Sequence, residues 1–208
     1  MLDGRYGDRL NRMWEFLSRG LARAGFSPNA ITFAGLALVL AGAAAYPLHR
    51  DSLVFAVWLT IAFSFDGLDG AVARLTGRSS RFGGYLDAVI DRYQELAVLA
   101  SIAWVHDAWP AALLALSGGF LTSYNKARAA MEIAIDNAGW PDLLERMERV
   151  IFIVLLLVIE RFMPVVPSTD VETMAAGLLL LGVLAHVTAL QRFMRARRRI
   201  VAVDGATK

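Results

Sequence analysis

The chain has no cysteine. Disulfides, thiolate nucleophiles and cysteine-bound zinc are therefore excluded. Three histidines, scattered along 208 residues, do not build a histidine metal site. Net charge is small at +2, so bulk charge offers no argument for nucleic acid, and no nucleic-acid partner is expected. Internal repeats and low-complexity tracts are lacking too. The N-terminus is rich in arginine and has no apolar core before a small-residue cleavage site, so it does not read as a cleaved signal. What is abundant is apolar residues: 57% of the chain, with mean hydropathy +0.49. Soluble domains lie nearer about 45–50%.

Those residues fall into six segments, near Ala30–Leu48, Leu53–Leu75, Gly84–Val105, Trp109–Met131, Val150–Val166 and Val171–Met194. Several approach the twenty residues a membrane helix needs. The predicted fold is an all-α integral membrane protein with six transmembrane helices. Ahead of them, Leu10, Met13, Trp14, Phe16, Leu17 and Leu21 recur near helical spacing among Arg9, Arg12, Arg19 and Arg23, which predicts an amphipathic helix on the membrane surface. The expected organisation is one domain: residues 1–26 as interfacial helix and linker, 27–196 as the six-helix bundle, and 197–208 as a basic tail. Lys and Arg concentrate in the N-terminal arm, the second and fourth connections and the tail, whereas the other connections hold only Arg50 and Arg161. By the positive-inside rule both termini lie in the cytoplasm. Trp104, Trp109 and Trp140 read as interface anchors, and His186 as a neutral packing residue.

Against this background, "FDGLDGAVARLTGRSSRFGGYLDAVID" is out of character. Asp66 and Asp69 are three apart, and Asp87 and Asp91 four apart, so each pair shares a helix face. A tight connection makes the two helices antiparallel neighbours. Gly70, Ala73, Gly83 and Gly84 leave room for close approach. One ionised Asp at mid-membrane costs about 2.5–3.5 kcal/mol, and four unpaired ones about 10 kcal/mol. Pairing with Arg74, Arg78, Arg81 and Arg92 would offset only part of this. Divalent cations with a preference for hard oxygen, Mg²⁺ or Mn²⁺, would do more, and two of them suit phosphoryl displacement.

The order Asp66-x-x-Asp69-Gly70-x-x-Ala73-Arg74, eight residues, Gly83-x-x-x-Asp87-x-x-x-Asp91 resembles the defining motif of the CDP-alcohol phosphotransferase family. That resemblance implies transfer of a phosphoalcohol from a CDP-linked lipid donor to a hydroxyl acceptor, with release of CMP. It implies two ions, Mg²⁺ or Mn²⁺, with Asp66 and Asp87 touching both, Asp69 on the first and Asp91 on the second. Asp91 would also be the catalytic base. Gly70, Arg74 and Ser80 would hold the nucleotide. "SPNAIT" is similar to the family's stretch at the first membrane helix, which places Asn29, Ala30, Ile31 and Thr32 against the donor. Ser27 and Pro28 also read as an ordinary helix start.

"SYNKARAA", "ERMER" and "LQRF" resemble the phosphatidylinositol-phosphate and archaetidylinositol-phosphate synthase branch. By that likeness Lys126, Arg149 and Arg192 would bind the phosphate of inositol 1-phosphate. Ala130 departs from the branch, which often has Glu there. Glycerol 3-phosphate remains an alternative acceptor. A Mg²⁺-dependent prenyltransferase would need a second Asp-rich motif, and a cation transporter would need ionisable residues near mid-membrane. Glu95 reads either as a partner of the aspartates or as an ion pair with Arg92. The other expected partners are membrane lipid and, as in the family, a second copy in a homodimer.

Overall fold

A computed structural model describes residues 16–133 and 144–206. Among these the structure is helical throughout, apart from one isolated β-bridge between Val165 and Glu172. Six helices follow a short one at residues 16–23: α1 (Pro28–His49), α2 (Ser52–Thr76), α3 (Arg81–His106), α4 (Trp109–Glu132), α5 (Arg146–Phe162) and α6 (Thr173–Ala206). Residues 1–15 of the expected interfacial helix, Trp140 and Lys208 lie outside the described residues.

Local chemistry sets the helix ends. The short helix closes at Gly25 (φ 81°): Gly25 N–H donates to Ala22 O, and Phe26 N–H to Leu21 O. Gly77 (φ 65°) repeats the pattern after α2, with Gly77 N–H to Arg74 O and Arg78 N–H to Ala73 O. Both are left-handed C-terminal caps, a conformation that costs glycine no Cβ clash. At the starts, Ser27 Oγ accepts from Ala30 N–H at 3.2 Å, as a helix start predicts. Asp51 Oδ1 takes the N–H groups of Leu53 and Val54. Ser80 Oγ accepts from Gly83 N–H at 3.0 Å and so caps α3.

The observed helices depart from the predicted segments in two places. α5 begins at Arg146, four residues before the apolar run, because Glu145 is extended (φ −75°, ψ −176°) and the ERMER stretch winds into the helix. It stops at Phe162, with Met163 no longer helical and Pro164 next. The basic stretch after residue 196 is not a separate tail but a continuation of α6 to Ala206. Nothing in "RARRRIVAVDGA" breaks a helix, since its only glycine lies at the end.

The chain divides into two compact units. One holds residues up to Ala45 together with Val57–Val98, and the other Tyr46–Ala56 together with Leu99 onward. In the first, Ile31, Leu68 and Val72 form a buried cluster joined by Leu21, Ala22 and Phe65. Trp58 Nε1 donates to Leu38 O at 2.7 Å and lies over Gly42, tying α1 to α2. In the second, α4 and α6 pack through small residues. A Cβ at Gly118 would come within 2.7 Å of Ala185 Cβ, and one at Gly182 within 3.0 Å of Ala115 N. Such close approach is how helices associate where lipid removes the hydrophobic drive. Thr122 Oγ1 lies within hydrogen-bonding distance of both Gly118 O and Ala185 O, and Asn125 Nδ2 donates to Ala189 O, across the same pair of helices.

Every helix also turns large apolar side chains outward, among them Leu40, Ile61, Trp104, Leu113, Leu155 and Leu180, each 46–66% exposed. In water that much exposed apolar surface is a liability, whereas lipid covers it. Among the described residues, three helices are long and apolar enough by themselves to cross a bilayer: Pro28–His49, Ser52–Leu75 and Thr173–Gly205.

Candidate active site

The first unit carries the aspartate motif on α2 and α3. A cavity of about 240 Å³ is lined by Asn29 and Thr32 from α1, Asp69, Gly70 and Arg74 from α2, Ser80 from the connection, and Gly83, Gly84 and Asp87 from α3. Seven of the predicted donor and metal residues thus share one wall system: Asn29, Thr32, Asp69, Gly70, Arg74, Ser80 and Asp87. Asp66 and Asp91 are half-buried on the same helices but do not line it. Ala30 is exposed, with its N–H occupied by Ser27. Ile31 is 2% exposed, its side chain packs on Leu68 and Val72, and its N–H donates to Ser27 O at 3.2 Å. Ser80 lines the cavity, yet its oxygen already accepts from Gly83 N–H.

The carboxylates are held from behind. Thr32 Oγ1 donates to Asp69 Oδ2 at 2.5 Å, and Gly70 N–H points to Asp69 Oδ1 at 2.5 Å. Gln94 Nε2 donates to Asp66 Oδ1 at 3.4 Å. Arg92 pairs with Glu95 at 3.3 Å, the ion pair expected of Glu95, and lies 3.8 Å from Asp91. Asp69 feels the charges of both Asp87 and Asp66. Among the described residues no three of these carboxylates converge into a ready coordination shell. Like charges repel at short range, so drawing them to one centre takes a bridging cation. The donor set consists of hard carboxylate oxygens from two helices, which fits Mg²⁺ or Mn²⁺ and suits no soft metal.

The second unit has its own cavity of about 410 Å³, lined by Thr122, Ser123, Lys126 and Ala130 of α4, Glu145, Arg146 and Arg149 at the start of α5, and Arg192 of α6. All three predicted acceptor-phosphate cations reach it. Arg149 and Arg192 are 2% and 6% exposed, unusual for arginine. Arg192 Nη1 donates to Thr122 O at 2.8 Å, and its Nη2 lies 3.5 Å from Glu145 Oε1. Arg149 Nη1 donates to Leu144 O at 3.3 Å. These contacts hold the guanidinium groups in place. His186, away from the cavity, shares a 3.2 Å hydrogen bond with Ser117 Oγ.

A sequence model described as CDP-alcohol phosphatidyltransferase matches residues 26–191. The chain belongs to this family. The archaetidylinositol phosphate synthase of Pyrococcus horikoshii is 31% identical over 188 residues, covering 89% of this chain and 92% of that one. The phosphatidylinositol phosphate synthase of Mycobacterium tuberculosis is 33% identical over 192 residues, covering 85% and 82%. Crystal structures of the M. tuberculosis enzyme superpose on the fold. The one with CDP-DAG bound gives a TM-score of 0.74 at 31% identity, covering 89% of this chain and 94% of that one. The one with manganese and citrate gives 0.73 at 30% identity, covering 88% of each. The protein is therefore a membrane-associated transferase of phospholipid biosynthesis that uses divalent metal.

Within this CDP-alcohol phosphatidyltransferase, sequence reasoning missed Gln94, Glu145 and Arg146. Gln94 follows Asp91 by three residues and Asp87 by seven, so helical spacing alone puts it on the aspartate face. It is fully buried. Gln94→Leu keeps the volume and removes the donor to Asp66. Mn²⁺ titration followed by electron paramagnetic resonance is expected to show affinity weakened roughly 10-fold, the lower range for loss of a partner behind a metal ligand. Unchanged affinity would show that the contact does not orient Asp66.

Proposed function

We propose that the protein transfers a phosphatidyl or archaetidyl group from a CDP-linked lipid to a hydroxyl of inositol 1-phosphate, releasing CMP. The observation that carries this reading is the pairing of two cavities in one chain. One combines Asp69 and Asp87 with Asn29, Gly70 and Arg74, and the other gathers Lys126, Arg146, Arg149 and Arg192. The names of the Pyrococcus and Mycobacterium relatives support inositol phosphate over glycerol 3-phosphate.

Asp66, Asp69, Asp87 and Asp91 hold two divalent ions. Bound there, such ions supply Lewis-acid polarisation of the donor diphosphate and charge neutralisation for departing CMP. Arg74 binds the nucleotide phosphates and Gly70 lets the nucleotide approach the helix. Ser80 and the Asn29–Thr32 stretch complete the donor contact. Asp91 takes the proton of the acceptor hydroxyl. The acceptor oxygen then bonds to the lipid-side phosphorus as the bond to CMP breaks, and CMP leaves with the electron pair. Lys126, Arg149 and Arg192 fix the acceptor phosphate through charge-assisted hydrogen bonds.

The same reading has six membrane crossings behind an interfacial N-terminal helix, both termini and the active site in the cytoplasm, and a homodimeric assembly. The outward apolar residues of all six helices support the crossings, and the asymmetry of Lys and Arg supports the cytoplasmic termini.

Purified protein with Mg²⁺ or Mn²⁺, a CDP-lipid in diacyl or ether form, and a panel of phosphorylated and free alcohols is expected to release CMP. EDTA should stop it, and re-added metal restore it. Inositol 1-phosphate should give the highest kcat/KM. No CMP with any acceptor would remove the enzymatic reading, and preference for glycerol 3-phosphate would replace the acceptor.

A further inference from the structure

An exposed carboxylate in the wall of a phosphate pocket repels the phosphate it faces. Yet the α4–α5–α6 cavity of the second unit contains one carboxylate, Glu145, among its lining residues, beside Lys126, Arg146, Arg149 and Arg192. Glu145 stands at the N-terminal cap of α5 but makes no side-chain cap hydrogen bond, so helix capping does not account for its direction. Its Oε1 lies 3.5 Å from Arg192 Nη2, while the side chain keeps 49% of its surface exposed. Ammonium and guanidinium groups donate hydrogen bonds and accept none. An ionised carboxylate only accepts, with about four lone-pair positions, of which one contact to Arg192 takes a part. Against a bare oxyanion, Glu145 is repulsive. Against an alcohol O–H, it is the strongest acceptor the cavity has.

We propose that Glu145 is a specificity-determining residue that reads hydroxyl protons of the acceptor, so the cavity selects a polyhydroxylated phosphate monoester over a plain one. The cations take the phosphate, and Glu145 accepts from hydroxyls on the carbon skeleton beside it. This rests on the acceptor-pocket reading proposed above and adds to it a reason for the acid. The other role for Glu145 is to position Arg192, and the two roles differ in what they do to a ligand without spare hydroxyls.

The test uses the full-length enzyme with Glu145→Gln and Glu145→Ala. KM is measured for inositol 1-phosphate, and the inhibition constant is measured for methyl phosphate, which offers the anion and no alcohol. The expected result is a KM for inositol 1-phosphate raised about tenfold or more in both variants, with methyl phosphate binding unchanged or tighter and the KM for CDP-lipid unchanged. Equal weakening of both anions would overturn the proposal and leave Glu145 as a positioning residue for Arg192. An unchanged KM for inositol 1-phosphate would overturn it as well. If methyl phosphate does not compete with the acceptor in the unaltered enzyme, the phosphate-pocket reading itself fails, and the proposal with it. A shift in CDP-lipid KM would identify general damage, and Glu145→Asp, which keeps the acceptor group, should then restore selectivity if the proposal holds. Failure of that rescue overturns it.

Discussion

Asp91→Asn is expected to lower kcat by about 10²–10⁴-fold, the range that a positioned general base contributes. The substitution keeps the size and one oxygen of the side chain but cannot take up the acceptor proton. Binding of the CDP-lipid should survive, because the lining of the first unit's cavity, proposed above for the donor, includes Asp69, Gly70, Arg74 and Asp87 and does not include Asp91. The measurement is CMP release under saturating substrates beside direct titration of the CDP-lipid. Normal turnover would move the base elsewhere. Parallel loss of donor binding and turnover would make Asp91 a pillar of the site and no base. Arg92, 3.8 Å from Asp91, gives a useful contrast. It also pairs with Glu95 at 3.3 Å, and it takes up no proton from the acceptor, so Arg92→Met should cost far less activity than Asp91→Asn.

Arg149→Ala carries the second large expectation. A hydrogen bond to a charged group contributes about 1.5–3 kcal/mol, which corresponds to roughly 10- to 150-fold in an apparent affinity. The KM for the phosphorylated acceptor should rise by that much, and the KM for CDP-lipid by less than about twofold. Burial makes the contrast sharp, since at 2% exposure little solvent screens the charge. Arg149→Lys should recover only part of the loss, because an ammonium lacks the planar fork that meets a phosphate and Leu144 O together. Equal effects on donor and acceptor would count against a dedicated phosphate pocket.

The fold was largely legible because each apolar segment is bounded by chemistry with a local cause. Ser27 caps a helix as its place before Pro28 predicts, Asp51 and Ser80 cap two more, and Gly77 ends one. The apolar run marks α5 only from Val150, whereas the helix starts at Arg146: Arg146, Glu148 and Arg149 are polar, but Arg149 turns inward into a cavity, so the helix runs ahead of its hydropathy. The extension of α6 was hidden in the same way, since a run of arginines reads equally as a tail or as a good helix.

Within the site, spacing fixed which aspartates share a face. It could not say that Ile31 would spend its side chain on Leu68 and Val72 while its neighbour Thr32 reached Asp69. Adjacent helix positions point about 100° apart, and only the packing partner decides which one faces the ligand. Glu145 and Arg146 were passed over because a charged loop residue and a pocket residue look alike until α4 and α6 close around them.

The length of α6 has a consequence of its own. Thirty-four residues span about 51 Å, whereas a hydrocarbon layer is about 30 Å thick. Arg197 and Arg198 project from the exposed side of the overhang, and Arg195 and Arg199 from the half-buried side. The overhang is not charged alone: Val201 and Val203, 59% and 51% exposed, share its surface with those arginines. Such a mixed surface suits the headgroup boundary, where arginines meet anionic lipid while valines meet acyl chain, so replacing Val201 and Val203 by serine is expected to weaken the grip of this last stretch on anionic vesicles.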